Sequence, residues 1–357
     1  MRERFVWADA ARTLACGLVV LVHVNIYTRA GLETWWPFGF AGVPVFSVAV
    51  PAFLVLSGYF AKRADALESV STAGSVRRAL RLVVPFLVWN MLTIAALGAD
   101  GLRMDARTIV LHALTGTWQL YFIFALLQLM LLHRLLGSHA STGRMLGLAI
   151  ASTTVVYAAS DLVLWRIGGA DGGAFELFAE KLFPCWTIFF FSGMWLRHHP
   201  NVFETLTGKW LPALLCALAA AYAIYLLELR LEERRFDYNP RKQILLGGLP
   251  FQLLGSVLAL ALLRALDRPG RAHRLLARLA SAGTDTYGIY LCHAAVLVGL
   301  FAAARSLGLT TSHDYETPLL AIATWVLAWG FVRLARWLAP GSLRFALLGE
   351  SGVHTAH

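Results

Sequence analysis

The stretch FAGVPVFSVAVPAFLVLSGYFA, residues 40–61, carries no charged side chain in twenty-two positions. At 1.5 Å per residue, about twenty apolar residues in helical form cross the roughly 30 Å hydrocarbon core of a bilayer. Working outward from this run, comparable apolar stretches recur along the chain. They predict ten spanning helices near 8–28, 40–61, 82–99, 110–132, 145–165, 182–196, 210–227, 244–263, 284–304 and 318–338. The whole chain agrees: 357 residues, 58% apolar and 15% charged, with a mean hydropathy of +0.63. A soluble domain carries about a quarter charged residues. Disordered, collagenous and ordinary cytosolic classes are therefore excluded, and long unbroken runs exclude the ten-residue alternation of a transmembrane barrel. The expected fold is all-α and polytopic, with residues 1–340 as one membrane domain and 341–357 as a short cytoplasmic tail.

The net charge of +10 comes with no nucleic-acid motif, so it is read as contact with anionic membrane lipids and as topology, and no nucleic-acid partner is expected. Over the ten-span scheme with an inner amino terminus, inner segments hold 19 Lys and Arg and outer loops 11. The positive-inside rule then puts both termini in the cytoplasm. Cysteines 16, 185, 216 and 292 lie in apolar runs without a CxxC pair, which predicts small buried residues and neither a disulfide framework nor a zinc site. No metal-ligand spacing and no phosphate-cradling glycine loop occurs, so no metal and no permanently bound cofactor is expected.

A charge inside a span costs at least about 2.5 kcal/mol at the helix centre, which makes each such residue a functional candidate. The first span holds Asp9, Arg12 and His23. At about 100° per residue, eleven steps return His23 to within about 20° of Arg12, so the three share one face. The bland reading has Arg12 snorkelling beside Asp9 and His23 bonding a neighbouring helix. The alternative is a neutral imidazole placed to take a proton near pH 7. With helical rise as a ruler, Ser57, Tyr59 and His293 fall near the level of Arg12, while Trp118 and Tyr121 fall near His23. Arg77, Arg78 and Arg81 stand where the third span leaves the inner surface, suited to lipid headgroups or a polyphosphate. The remaining histidines are read as solvated loop residues.

These residues make the chain resemble the acyltransferase-3 family of integral membrane O-acyltransferases. The strings that carry the resemblance are DAAR at 9–12, the Arg12-x10-His23 spacing, FLVLSGYF at 53–60, RRALRLVVPF at 77–86, TWQLYFI at 117–123, FFFSGM at 189–194 and YGIYLCH at 287–293. The resemblance implies transfer of an acyl group, acetyl foremost, from cytosolic acyl-CoA to a hydroxyl of a cell-envelope or exported glycan or lipid-linked saccharide, in the bacterial inner membrane. Carried onto this chain, it implies His23 and Arg12 as catalytic, Ser57, Tyr59, Arg78, Arg81 and His293 as donor-binding, and Trp118 and Tyr121 in the acceptor pocket. Ala294 and Ala295 stand where many members have a proline, and the chain ends soon after the last span without a fused extracytoplasmic domain. A transporter or flippase of a glycolipid or small anion is the alternative, since a polar stripe also suits a permeation path.

Overall fold

The computed structural model describes residues 5–27, 43–61, 72–99, 105–136, 143–167, 178–236, 244–308 and 316–350, nearly all of them helical and none in a strand. Seven helices have the length and apolar composition to cross a membrane. They are α1 (Val6–Tyr27), α4 (Thr72–Ala99), α7 (Gly143–Ile167), α10 (Leu211–Phe236), α11 (Gly248–Leu266), α13 (Thr286–Ser306) and α14 (Glu316–Leu338). The other three expected spans are not single long helices. Segment 40–61 is α2 (Val43–Ser47) followed by α3 (Ala49–Tyr59), its first residues lying outside the described ones. Segment 110–132 is α5 (Ala106–Thr115), a 3-10 turn at Trp118–Leu120, and α6 (Tyr121–Leu136). Segment 182–196 is a 3-10 turn at Phe183–Cys185 and then α8 (Thr187–His198). Hydropathy registers burial in a run but not a break in its backbone, which is why ten uniform spans were expected. Short helices α9 (Asn201–Thr207), α12 (Arg271–Ser281) and α15 (Gly341–Leu348) complete the order.

The described chain forms two compact units. One comprises residues 1–15, 31–68 and 128–283, the other residues 16–30, 69–127 and 284–357. In the first unit, α3 crosses α8 at two glycines. A Cβ on Gly58 would overlap Phe190 O and lie 2.8 Å from its carbonyl carbon; a Cβ on Gly193 would overlap Val55 O and lie 2.8 Å from Tyr59 N. The two Ser-Gly pairs, 57–58 and 192–193, thus let the backbones meet directly, which is how helices gain packing energy where lipid removes the hydrophobic drive. Helix α11 starts with its backbone donors satisfied by carboxylates: Leu246 N donates to Asp161 Oδ2 at 3.0 Å and Gly247 N to Glu228 Oε2 at 2.8 Å. Because α6 runs on to Leu136, His133 is only 5% exposed, with its ring 6.1 Å from that of Phe190; it is a core residue and not the solvated one expected.

In the second unit α13 is anchored at its first turn. Asp285 is fully buried and accepts from Trp329 Nε1 and Arg333 Nε at 2.9 Å and from Arg336 Nη1. Arg336 also donates to Glu350, just past α15. Helix α15 follows Pro340 and ends at Gly349, left-handed at φ 70°. Gly349 lies against Arg81 O, the carbonyl to which Pro85 has no N–H to offer, and Trp89 Nε1 donates to Leu347 O at 2.8 Å.

The glycine crossing sets a stability prediction. Gly58→Ala or Gly193→Ala must push backbone from backbone, a cost of about 1–3 kcal/mol or more by the measure of overpacked cores. Gly147→Ala meets no atom within 4 Å. Thermal unfolding in detergent is expected to fall for the first two and hold for the third; an unshifted Gly58→Ala would show that the crossing yields freely.

Candidate active site

Helix α1 carries Arg12 in its first-unit portion and His23 in its second-unit portion. Eleven residues of rise separate them by about 16 Å. Each heads a different cluster.

Around Arg12, Nη1 donates to Asp9 Oδ1 at 2.6 Å and the guanidinium lies 5.3 Å from the Phe60 ring centre. The side chain remains 36% exposed. Phe60 follows Tyr59, whose ring stands edge-on to Trp7 at 5.5 Å and to Phe203 at 5.9 Å. Arg264 Nη1 donates to the Tyr59 hydroxyl at 3.3 Å, and its guanidinium covers Phe203 at 4.9 Å. Arg197 Nη1 donates to Ala61 O at 2.6 Å and Tyr59 O at 3.3 Å, closing carbonyls at the end of α3. Arg12 and Tyr59 thus share one aromatic cluster through Phe60, and Arg197 and Arg264 join it without having been foreseen as site residues. Their signal was basic residues in the last turns of apolar helices. Ser57 spends its hydroxyl proton on Phe53 O, one turn back in its own helix.

Around His23 the second unit sets a different chemistry. His23 Nδ1 lies 2.7 Å from Val19 O. A carbonyl can only accept, so Nδ1 carries the proton and Nε2 presents a lone pair, the tautomer a general base needs. His293 repeats the arrangement: its Nδ1 lies 2.8 Å from Tyr290 O, and the two imidazole centres are 5.2 Å apart, edge to face. His293 was expected at the level of Arg12; the structure puts it beside His23. The depth ruler started every helix at the membrane surface, whereas α13 starts beside Cys16, ten residues into α1. Cys16 Sγ reaches Thr286 O at 3.6 Å. From Cys16 to His23, and from Thr286 to His293, is seven residues in each helix, so two parallel helices in register bring the histidines together.

The floor of this arrangement is the break in segment 110–132. Gly116 adopts φ 92°, and a Cβ there would overlap Tyr121 N. Backbone freed by a break at this depth must find partners. Asn90 supplies them: its Nδ2 donates to His112 O and Ala113 O at 2.6 and 2.9 Å, and its Oδ1 accepts from Thr117 N at 2.9 Å. Asn90 is fully buried. Sequence reading missed it, although an amide inside VPFLVWNMLTI is the kind of costly polar residue that marks a site. Beyond the break, the Tyr290 hydroxyl donates to Gln119 O, and the Tyr290 ring lies 5.6 Å from Phe122 and 5.9 Å from His293. Tyr121, the first residue of α6, is buried directly after the turn. Trp118 has its backbone in the 3-10 turn and Arg78 its backbone in α4, with both side chains outside the described residues. Arg81 is exposed on α4.

The three buried thiols each meet a backbone carbonyl, Cys16 that of Thr286 at 3.6 Å, Cys185 that of Ala179 at 3.0 Å and Cys292 that of Ala328 at 3.8 Å, whereas Cys216, expected buried, is exposed on α10. A histidine that presents Nε2 in a chain of apolar helices suits transfer of a group onto a hydroxyl. Comparison with known proteins bears on that chemistry. No curated protein and no solved structure matches the chain. Residues 5–333, however, match the family model described as an acyltransferase domain, Acyl_transf_3. That match takes in Arg12, His23, the Ser57–Tyr59 triplet, the turn at Trp118 and His293 together, and the chain belongs to the acyltransferase-3 family of membrane proteins.

Proposed function

We propose that this protein is a membrane O-acyltransferase that moves an acyl group, acetyl foremost, from cytosolic acyl-CoA to a hydroxyl of a cell-envelope or exported glycan. The observation that carries this reading is the His23–His293 pair, two neutral imidazoles with their Nδ1 protons on backbone carbonyls. The acceptor hydroxyl gives its proton to His23 Nε2 as its oxygen attacks the thioester carbonyl. The new C–O bond forms, the C–S bond breaks, and the departing CoA thiolate recovers the proton from His23. Thiolate leaves readily, so the demand falls on the base, a contribution of about 10²- to 10⁴-fold. Arg12 lies about 16 Å along the helix and acts on the donor rather than on this proton. Donor-binding roles are assigned separately to Tyr59 with the Arg12 cluster in the first unit and to Arg78 and Arg81 in the second, guanidinium forks being suited to phosphates. Trp118 and Tyr121 are assigned to the acceptor side on the family pattern.

The reading includes ten membrane passages, with α3, the α5–α6 pair and α8 supplying the three beyond the seven long helices, both termini in the cytoplasm, and the bacterial inner membrane as location. Apolar side chains left outward on the helices, such as Leu135, Val155 and Leu319, each more than 60% exposed, suit lipid contact.

Three outcomes follow from it. His23→Ala is expected to bind acetyl-CoA nearly as well as the parent while turnover falls by about two decades or more; a folded variant with near-normal turnover would return His23 to helix packing. Titration calorimetry is expected to show acetyl-CoA binding, acetate not, and a weakened affinity in Arg81→Ala; equal affinity for acetate and acetyl-CoA would remove the cytosolic donor. A cysteine introduced between 62 and 81 should resist impermeant reagents in intact cells while one between 228 and 242 is labelled, the reverse pattern inverting the topology.

A further inference from the structure

Among the described residues, several buried polar atoms of the second unit have no hydrogen-bond partner. Gln119 is 2% exposed, and neither its Nε2 nor its Oε1 makes a hydrogen bond; Thr117 Oγ1, Thr93 Oγ1 and His293 Nε2 are equally enclosed and equally unmatched. A buried polar group without a partner costs about 1–3 kcal/mol, and native interiors hold only a few in a hundred residues. These four residues are joined by the contacts already described. Thr117 N donates to Asn90, and Thr93 stands one turn beyond Asn90 on the same face of α4. Tyr290 donates to the backbone of Gln119 and lies against His293, which faces His23. The residues that carry these four sets of unmatched atoms thus run from the helix break to the histidine pair, while Thr324 and Arg344 lie outside that run.

Nothing in the backbone requires an amide at position 119. Methionine would fill similar space without a desolvation cost, so the amide has value only when something meets it. Its chemistry narrows that something. Gln119 offers two N–H donors and an acceptor, each threonine hydroxyl both gives and takes, and His293 Nε2 only accepts. A thioester supplies one carbonyl acceptor, and a phosphate or carboxylate would set negative charge against Gln119 Oε1 and His293 Nε2. Several neighbouring hydroxyl groups, each donor and acceptor at once, satisfy the whole set. We propose that Gln119, with Thr117, Thr93 and His293, forms the subsite that holds the ring of a carbohydrate acceptor by hydroxyls adjacent to the one His23 deprotonates. This rests on the acyl-transfer reading above and assigns the acceptor's contacts to residues within and beside the Trp118–Tyr121 turn.

The test uses the purified full chain, with Gln119→Met as the first variant and Thr117→Val as the second. Without substrate, Gln119→Met is expected to unfold at a higher temperature than the parent, because an unmet amide has been removed. Acetyl-CoA affinity by calorimetry should be unchanged. Transfer of acetyl from acetyl-CoA to octyl β-D-glucoside, followed by mass spectrometry of the ester, should show a KM for the glucoside raised about tenfold or more in both variants. A lower unfolding temperature in Gln119→Met would mean that the amide is already partnered and would overturn the subsite, as would an unchanged KM in both variants. A parent protein that binds acetyl-CoA yet forms no glucoside ester overturns the carbohydrate assignment. One that binds no acetyl-CoA sinks the acyl-transfer reading instead, and the thermal comparison still decides whether the amide at 119 is unmet.

Discussion

The pairing of α1 with α13 in parallel register is the constraint on which the histidine site depends. Cys16 meets Thr286, and seven residues further along each helix His23 meets His293. A slip by one residue would turn each imidazole about 100° away from the other. The register is held at its base by Asp285, a fully buried carboxylate one residue before α13 that binds Trp329 and two arginines of α14. A buried charge is tolerable only when paired. The ion cluster therefore fixes where α13 begins, and the position of His293 follows.

A second constraint comes from the apolar medium, which forbids loose backbone polar groups. Where the chain breaks, side chains replace the missing ladder: Asn90 at the Gly116 break, and Asp161 and Glu228 at the start of α11. Where helices must touch, glycine removes the side chain, as at Gly58 and Gly193. Among the described residues, the run from Thr93 through Gln119 to His293 keeps buried polar atoms unmatched, as do Ser160 and Thr324 elsewhere.

The two ends of α1 divide the chemistry. Near its start, Arg12, Arg197 and Arg264 gather on the aromatic rings and carbonyls around Tyr59 and Phe60, a cationic and partly exposed setting suited to a phosphate-bearing donor. Near its other end stand the imidazoles of His23 and His293, each with Nδ1 on a backbone carbonyl.

Composition and local pattern suffice for whatever depends on one segment at a time. Uncharged runs declare helices in an apolar medium; the eleven-residue spacing places Arg12 and His23 on one face; the strings at 9–23, 53–60, 77–86, 117–123 and 287–293 carry the family. Tertiary contact decides the rest. That His293 faces His23 rather than sharing the depth of Arg12 is set by residues some 270 positions apart, where α13 starts relative to α1. That segment 110–132 breaks is set by Asn90, whose amide makes a break at Gly116 affordable, and hydropathy averages over both. Depth inferred from a span's own ends assumes that every helix starts at the same level. The energies that stagger helices, buried ion pairs and side chain to backbone bonds between distant segments, have no signature within either segment alone.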